Sequence, residues 1–151
     1  MPESSVANAA INFHRAVPIL PVQDVDASIA YYVNILGFKV DWRAPSYASV
    51  SRGQCGLMLS GIGQGHPGTW VWIGIGDADR LWEEFRARGA KLRHPPTNYS
   101  WAYEMQIFDL DGHVLRFGAD PKPGQPEGEW LDEDGNLWLN NKMIGKQQPP
   151  L

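Results

Sequence analysis

An internal repeat limits what this chain can become. The order strand, Asp-x-Asp, helix, glycine, lysine-bearing strand runs over Asp24 to Val40 and again over Asp77 to Leu92. Asp24 and Asp77 lie 53 residues apart, and Gly37 and Gly89 lie 52 apart. A unit with one helix and several strands buries its apolar faces most readily against a second such unit, so the spacing predicts two βαβββ modules side by side. In the first, Ala16 to Val22 reads as a strand interrupted by Pro18 and Pro21. Asp24 or Asp26 caps a helix with Ile29, Tyr32, Val33 and Leu36 on one face, and Gly37 stops it. Phe38 to Arg43 is a strand, and Tyr47 to Ser51 and Gly56 to Ser60 form a hairpin about Arg52 to Cys55. In the second, Thr69 to Ile75 is a strand, Asp77 or Asp79 caps a helix carrying Leu81, Trp82 and Phe85, and Gly89 ends it before a short strand, Ala90 to Arg93. Tyr103 to Phe108 and Val114 to Gly118 then pair about the Asp111-Gly112 turn.

The predicted fold class is therefore α+β, two βαβββ modules forming curved mixed sheets around a cleft, with a C-terminal extension. Residues 1–13 read as a flexible arm, 14–118 as the paired-module domain (modules about 14–61 and 69–118, joined by a Gly-rich linker at 62–68) and 119–151 as the extension. Within the extension, Gly128 to Leu139 reads as a small hairpin and Asn140 to Leu151 as disordered. Trp130 and Trp138 there require cover from the main domain or from a second chain, which points to a homodimer.

One cysteine, Cys55, rules out an intrachain disulfide and suits a reducing cytoplasm. Met1 to Asn12 has neither the basic head nor the apolar run of a signal peptide, and no stretch is long and apolar enough for a membrane span. A net charge of -4 with scattered basic residues argues against a nucleic-acid surface and is compatible with a cationic small molecule.

The run Ile19 to Tyr32, the following Leu36-Gly37-Phe38, the second module and the closing Asp109 to Arg116 hairpin together resemble the vicinal-oxygen-chelate superfamily, which includes glyoxalase I, extradiol dioxygenases and the bleomycin-resistance proteins. The resemblance implies the paired-module fold, and it implies a divalent metal in the enzymes, held by His and Glu near the start of each module's first strand and the end of its last. Counting along the repeat puts Val17, Trp70, Ser60 and Arg116 at those four positions, and none is a usual metal ligand. His14, His66, His94 and His113 lack the spacing of a prepared site and read as surface or loop residues. The two Asp-rich turns lack the carboxylates of a calcium loop. The expectation is thus no metal, no cofactor and no catalytic residue.

The chain offers aromatic surface instead. Trp70 and Trp72 share one strand face while Val71, Ile73 and Ile75 share the other, so packing the aliphatic face beneath the helices turns the tryptophans to the cleft, where Trp42 and Trp101 can join them. Packing Tyr103, Met105 and Ile107 on the helix likewise turns Glu104 and Gln106 to the cleft, and Arg116 either meets a ligand or neutralises Glu104. The candidate ligand-binding set is Trp42, Ser60, Trp70, Trp72, Trp101, Glu104, Gln106 and Arg116. Read with the resemblance, it describes a metal-free protein of the bleomycin-resistance type, sequestering an aromatic, cationic ligand by stacking and cation-π attraction. The alternatives are a metal-dependent glyoxalase-like lyase, isomerase or dioxygenase using residues such as His14 and Glu104, and a sensor or accessory subunit without chemistry.

Overall fold

The computed structural model describes residues 10–132, 134–140 and 142–146. In the first module, β1 (Ile19–Pro21), α1 (Val25–Ala30), β2 (Lys39–Ala44), β3 (Tyr47–Arg52) and β4 (Cys55–Ser60) build a sheet of order β1-β4-β3-β2. In the second, β5 (Trp70–Gly74), α2 (Ala78–Arg88), β6 (Lys91–Asn98), β7 (Tyr103–Phe108) and β8 (Val114–Ala119) build the matching order β5-β8-β7-β6. The outer pair β1·β4 is parallel, as is β5·β8, and the remaining pairs are antiparallel. The repeat read from the sequence is the repeat of the fold.

Both helices start and stop for the same local reasons. Asp24 and Asp77 each accept a hydrogen bond from the backbone N–H three residues on, at 3.0 Å, so the first aspartate of each Asp-x-Asp is the cap. Gly37 and Gly89 close them at φ of +75° and +80°, where a side chain would be strained. Beyond Ala30 the first helix widens into a π-type segment, Tyr31–Ile35, with Leu36 N–H bonded to Tyr31 O at 3.1 Å. Helical spacing predicts only Tyr32 on the inner face, yet the neighbouring Tyr31 is buried as well.

Each helix packs on its own sheet and the two helices meet, so one core serves both modules. Leu20, Ile29, Tyr32, Val50, Leu57 and Leu59 from the first join Ile73, Phe85, Met105, Ile107, Leu115 and Phe117 from the second. A buried polar chain ties the modules across this core. The Tyr32 hydroxyl donates to Asp109 Oδ2 at 2.9 Å, and Asp109 Oδ1 accepts from the backbone N–H groups of Asp111 and His113, each at 2.9 Å. Burial raises the Asp109 carboxyl above its usual range, and burial followed by the Asp109 charge raises the Tyr32 hydroxyl. His113, fully enclosed, accepts from Thr69 N–H on Nδ1 at 3.1 Å and donates from Nε2 to Pro21 O at 2.7 Å, a tautomer assigned from these partners. The expectation of a surface histidine is corrected here, because the ring satisfies backbone groups at the end of β1 and the start of β5. Beside it, the Tyr31 hydroxyl donates to Phe108 O and accepts from Lys91 N–H, while Arg52 grips Glu84 of α2 at 2.6 and 3.0 Å.

Three further expectations are revised. The strand after Gly89 continues to Asn98 rather than Arg93, crossing Pro95-Pro96 with two register irregularities that absorb the missing donors, so His94 is a buried strand residue and not a loop residue. The extension is a three-stranded sheet, β9 (Glu129–Leu131), β10 (Asn136–Leu139) and β11 (Lys142–Lys146), where a two-stranded hairpin and a disordered end are expected; Asn141 and residues 147–151 lie outside the described residues. Trp130 and Trp138 stack on each other at 5.3 Å, and Trp130 also lies against His94 at 4.6 Å, so their own chain covers them. In the N-terminal arm, residues 10–13 are exposed without regular structure, and 1–9 lie outside the described residues.

Removing the His113 ring would strand a buried N–H and a buried carbonyl, each costing about 1–3 kcal/mol. His113→Ala is expected to lose about 2–4 kcal/mol of stability in urea unfolding; a change below about 0.5 kcal/mol would show that the clasp does not hold the modules.

Candidate functional site

Packing the helices between the modules leaves each sheet with an outer face turned away from the shared core. On the second sheet, strand register places side chains in rows across that face. One row reads Trp72, Arg116, Gln106, His94 from β5 to β6; the row on one side reads Trp70, Val114, Phe108, Lys91, and on the other Gly74, Gly118, Glu104, Thr97. The alternation argument therefore holds: Ile73 faces the core, and Trp70 and Trp72 are 53% and 47% exposed on the opposite face.

Polar and aromatic groups interlock here. Arg116 makes a two-pronged pair with Glu104, Nε to Oε2 at 3.1 Å and Nη2 to Oε1 at 2.8 Å, while its guanidinium carbon sits 5.2 Å from the Trp72 ring. Glu104 is almost wholly buried in this pairing. Trp72 lies flat over Gly118, where an added Cβ would overlap its six-membered ring. Next to it, Arg93 donates from Nη1 to Gln106 Oε1 at 2.7 Å and lies 4.9 Å from the Trp70 ring and 5.6 Å from the Phe108 ring. Trp101, 61% exposed, stacks on Tyr99 at 4.7 Å in the loop between β6 and β7. Burial raises the Tyr99 hydroxyl above its ordinary value, with the Glu104 charge raising it further and Arg116 opposing.

Of the residues singled out in the sequence, Trp70, Trp72, Trp101, Glu104, Gln106 and Arg116 thus gather on one module. Trp42 and Ser60 do not join them. Trp42 stacks on Tyr47 at 5.8 Å on the outer face of the first sheet, in the row Ile19, Met58, Ser49, Trp42. Ser60 is buried at the end of β4, its hydroxyl accepting from Ile62 N–H at 3.3 Å. Its place in the repeat is also corrected. Val22 N–H bonds Ser60 O as Ile75 N–H bonds Gly118 O, so Ser60 is the counterpart of Gly118, and Met58 is the counterpart of Arg116. The slip arises because the two hairpins have loops of different length, two residues between Arg52 and Cys55 and five between Phe108 and Val114, so a count from one turn glycine does not carry over to the other.

Sequence reasoning missed Arg93, His94, Phe108 and Gly118. Arg93 and His94 straddle an irregularity in β6, which breaks simple alternation; the only cue was the Pro95-Pro96 pair. The metal ligands the resemblance calls for in an enzyme do not fit this face. Val17, Trp70, Met58 and Arg116 supply no such donors, and among the described residues no three His, Cys, Asp or Glu side chains cluster to hold a metal. His14, offered as a ligand to be shared with Glu104, is exposed on the arm, and Glu104 is committed to Arg116.

The chain matches the family model described as the Glyoxalase/Bleomycin resistance protein/Dioxygenase superfamily over residues 12–117. Among solved structures it is similar to the bleomycin-binding protein from bleomycin-producing Streptomyces verticillus complexed with copper(II)-bleomycin, at 29% identity over 73% of this chain and 98% of that one, with a TM-score of 0.63. It is similar in fold to TioX from Micromonospora sp. ML1 (24% identity, 72% and 98% covered, TM-score 0.65) and to a glyoxalase/bleomycin resistance protein/dioxygenase from Nocardioides (20% identity, 83% and 95% covered, TM-score 0.63). No curated protein matches it.

Two outcomes follow from this geometry. Gly118→Ala is expected to lift Trp72 off the sheet, seen as greater acrylamide quenching of its fluorescence, with about 1–3 kcal/mol of stability lost to overpacking; unchanged quenching would mean that Trp72 does not rest on Gly118. Burial, with Arg93 nearby, lowers the His94 imidazole below its ordinary value, against the raising effect of the Pro95 carbonyl and Glu104. The folded protein then binds fewer protons than the unfolded chain, whose histidine titrates near about 6.5. This contribution is intact above that pH and is lost as pH falls below it toward the folded value. Urea midpoints measured downward from pH 7.5 are expected to fall less steeply in His94→Gln than in the wild type; parallel profiles would contradict the assignment.

Proposed function

Since the chain belongs to the glyoxalase/bleomycin resistance protein/dioxygenase superfamily, we propose that it is a small-molecule-binding protein of the bleomycin-resistance type, sequestering a flat aromatic, cationic ligand without metal and without chemistry. The observation that carries this reading is the outer face of the second sheet, where Trp70 and Trp72 stand half exposed and are held in place by Arg93, Arg116 and Gly118. Indole rings held this way offer free area for stacking at little conformational cost, and their π faces attract a cation. The similarity to a bleomycin-binding protein at 29% identity supports the same class of role.

A homodimer in the cytoplasm completes this reading. Within one chain the two outer faces point away from the shared core, and both expose tryptophan, Trp42 at 46% on the first and Trp70 and Trp72 on the second. Setting the first sheet of one copy against the second sheet of another would bury both faces and enclose a ligand between Trp42 and Trp72.

Intrinsic fluorescence titration with bleomycin and with 9-aminoacridine tests the proposal. Saturable quenching at one ligand per chain is expected, weakened at least about tenfold in Trp72→Ala, which corresponds to about 1.4 kcal/mol. Absence of saturable quenching by either would overturn it, and a monomeric mass by light scattering would overturn the dimer.

A further inference from the structure

Arg93 is placed unlike the other cation of this face. Arg116 is neutralised by the two-pronged pair with Glu104. Arg93 has a neutral amide, Gln106, as its polar partner, and among the described residues it forms no ion pair. Among the described residues none of the charged groups around it forms an ion pair with it. His94 is held toward its neutral form, Lys91 carries the same sign, and Glu104 is engaged by Arg116. Asp132 and Asp134 of the extension line a groove shared with Arg93 without pairing with it; Asp132 accepts instead from Trp138 Nε1, Asn136 Nδ2 and the backbone N–H groups of Asp134 and Asn136.

The guanidinium is nevertheless held. Its carbon lies within 6 Å of the Trp70 and Phe108 rings, and Nη1 is fixed on Gln106. Only Nη1 is engaged, on Gln106, so the planar guanidinium keeps N–H donors for a carboxylate, sulfate or phosphate. A guanidinium oriented in this way, beside exposed tryptophan and without an ion-pair partner among the described residues, is a prepared anion subsite.

We propose that the ligand of this face carries, besides its flat aromatic part, an oxyanion group received edge-on by Arg93, so that the natural ligand is dipolar rather than simply cationic. The inference rests on the binding reading above and adds a specificity-determining residue to it. Arg93 then sets which ring-bearing molecules are retained, while Trp70 and Trp72 supply the stacking that any of them would share.

A matched pair of probes separates the two readings: 9-aminoacridine-4-carboxylic acid and its neutral 4-carboxamide, which share a cationic ring and differ in the anionic group. In the wild type the acid is expected to bind at least tenfold tighter than the amide, with the margin shrinking as salt rises. In Arg93→Gln the margin between acid and amide should vanish, the loss of support for Trp70 falling on both probes alike. Arg93→Lys, which keeps the charge without the planar fork, should retain part of it. Equal binding of acid and amide by the wild type, or a margin that survives Arg93→Gln, would overturn the anion subsite and leave the stacking site standing. If neither probe binds, the stacking site itself is wrong and the subsite falls with it.

Discussion

Everything on the outer faces depends on a buried hydrogen-bonded chain that fastens one module to the other: Tyr32 to Asp109, Asp109 to the His113 backbone, and the His113 ring to Pro21 and Thr69. Each member satisfies a group that would otherwise be desolvated without a partner, so the modules have one low-energy way to meet. Tyr31 and the Arg52–Glu84 pair reinforce the same seam from α1 and from the β3–β4 hairpin. Once the helices are committed to this seam, the helix-facing side of each sheet is committed to the core. The opposite sides are left for solvent, ligand or another copy of the chain.

That division explains why large aromatic residues are tolerated outside. Trp70 and Trp72 alternate with Val71 and Ile73, which sit toward the core, and the exposed indoles are stabilised laterally by guanidinium groups and from beneath by a bare glycine. The positions where the resemblance implies His or Glu in an enzyme, Val17, Trp70, Met58 and Arg116, hold isopropyl, indole, thioether and guanidinium groups here, none a usual divalent-metal donor. In a fold shared by many chemistries, the groups on these outer faces decide the role.

How much of this was legible in the sequence varied with the range of the interaction involved. The Asp caps, the glycine stops and the alternation of Trp70, Val71, Trp72 and Ile73 are decided within a few residues, and each was readable. The inward turn of Tyr31 was hidden because a π-type segment departs from the 3.6-residue period. Arg93 and His94 were hidden by the β6 irregularity, and the counterpart of Arg116 was misplaced by two residues because the two modules close their hairpins with loops of different length. Trp130 and Trp138 were known to need cover, but stacking on each other and on His94 required knowing that the extension returns to the β6 edge.

By itself, then, the sequence determined two βαβββ modules, the limits of their helices and the residues that share each strand face, because caps, turns and side-chain periodicity act over one or two turns of chain. The tertiary structure decided what each face packs against: that the helices meet in a common core, that His113 lies inside it, that Arg116 pairs with Glu104 while Arg93 meets the Gln106 amide. Those outcomes depend on groups brought together from distant points of the chain, and periodicity assigns a residue to a face without naming the partner that the face will meet.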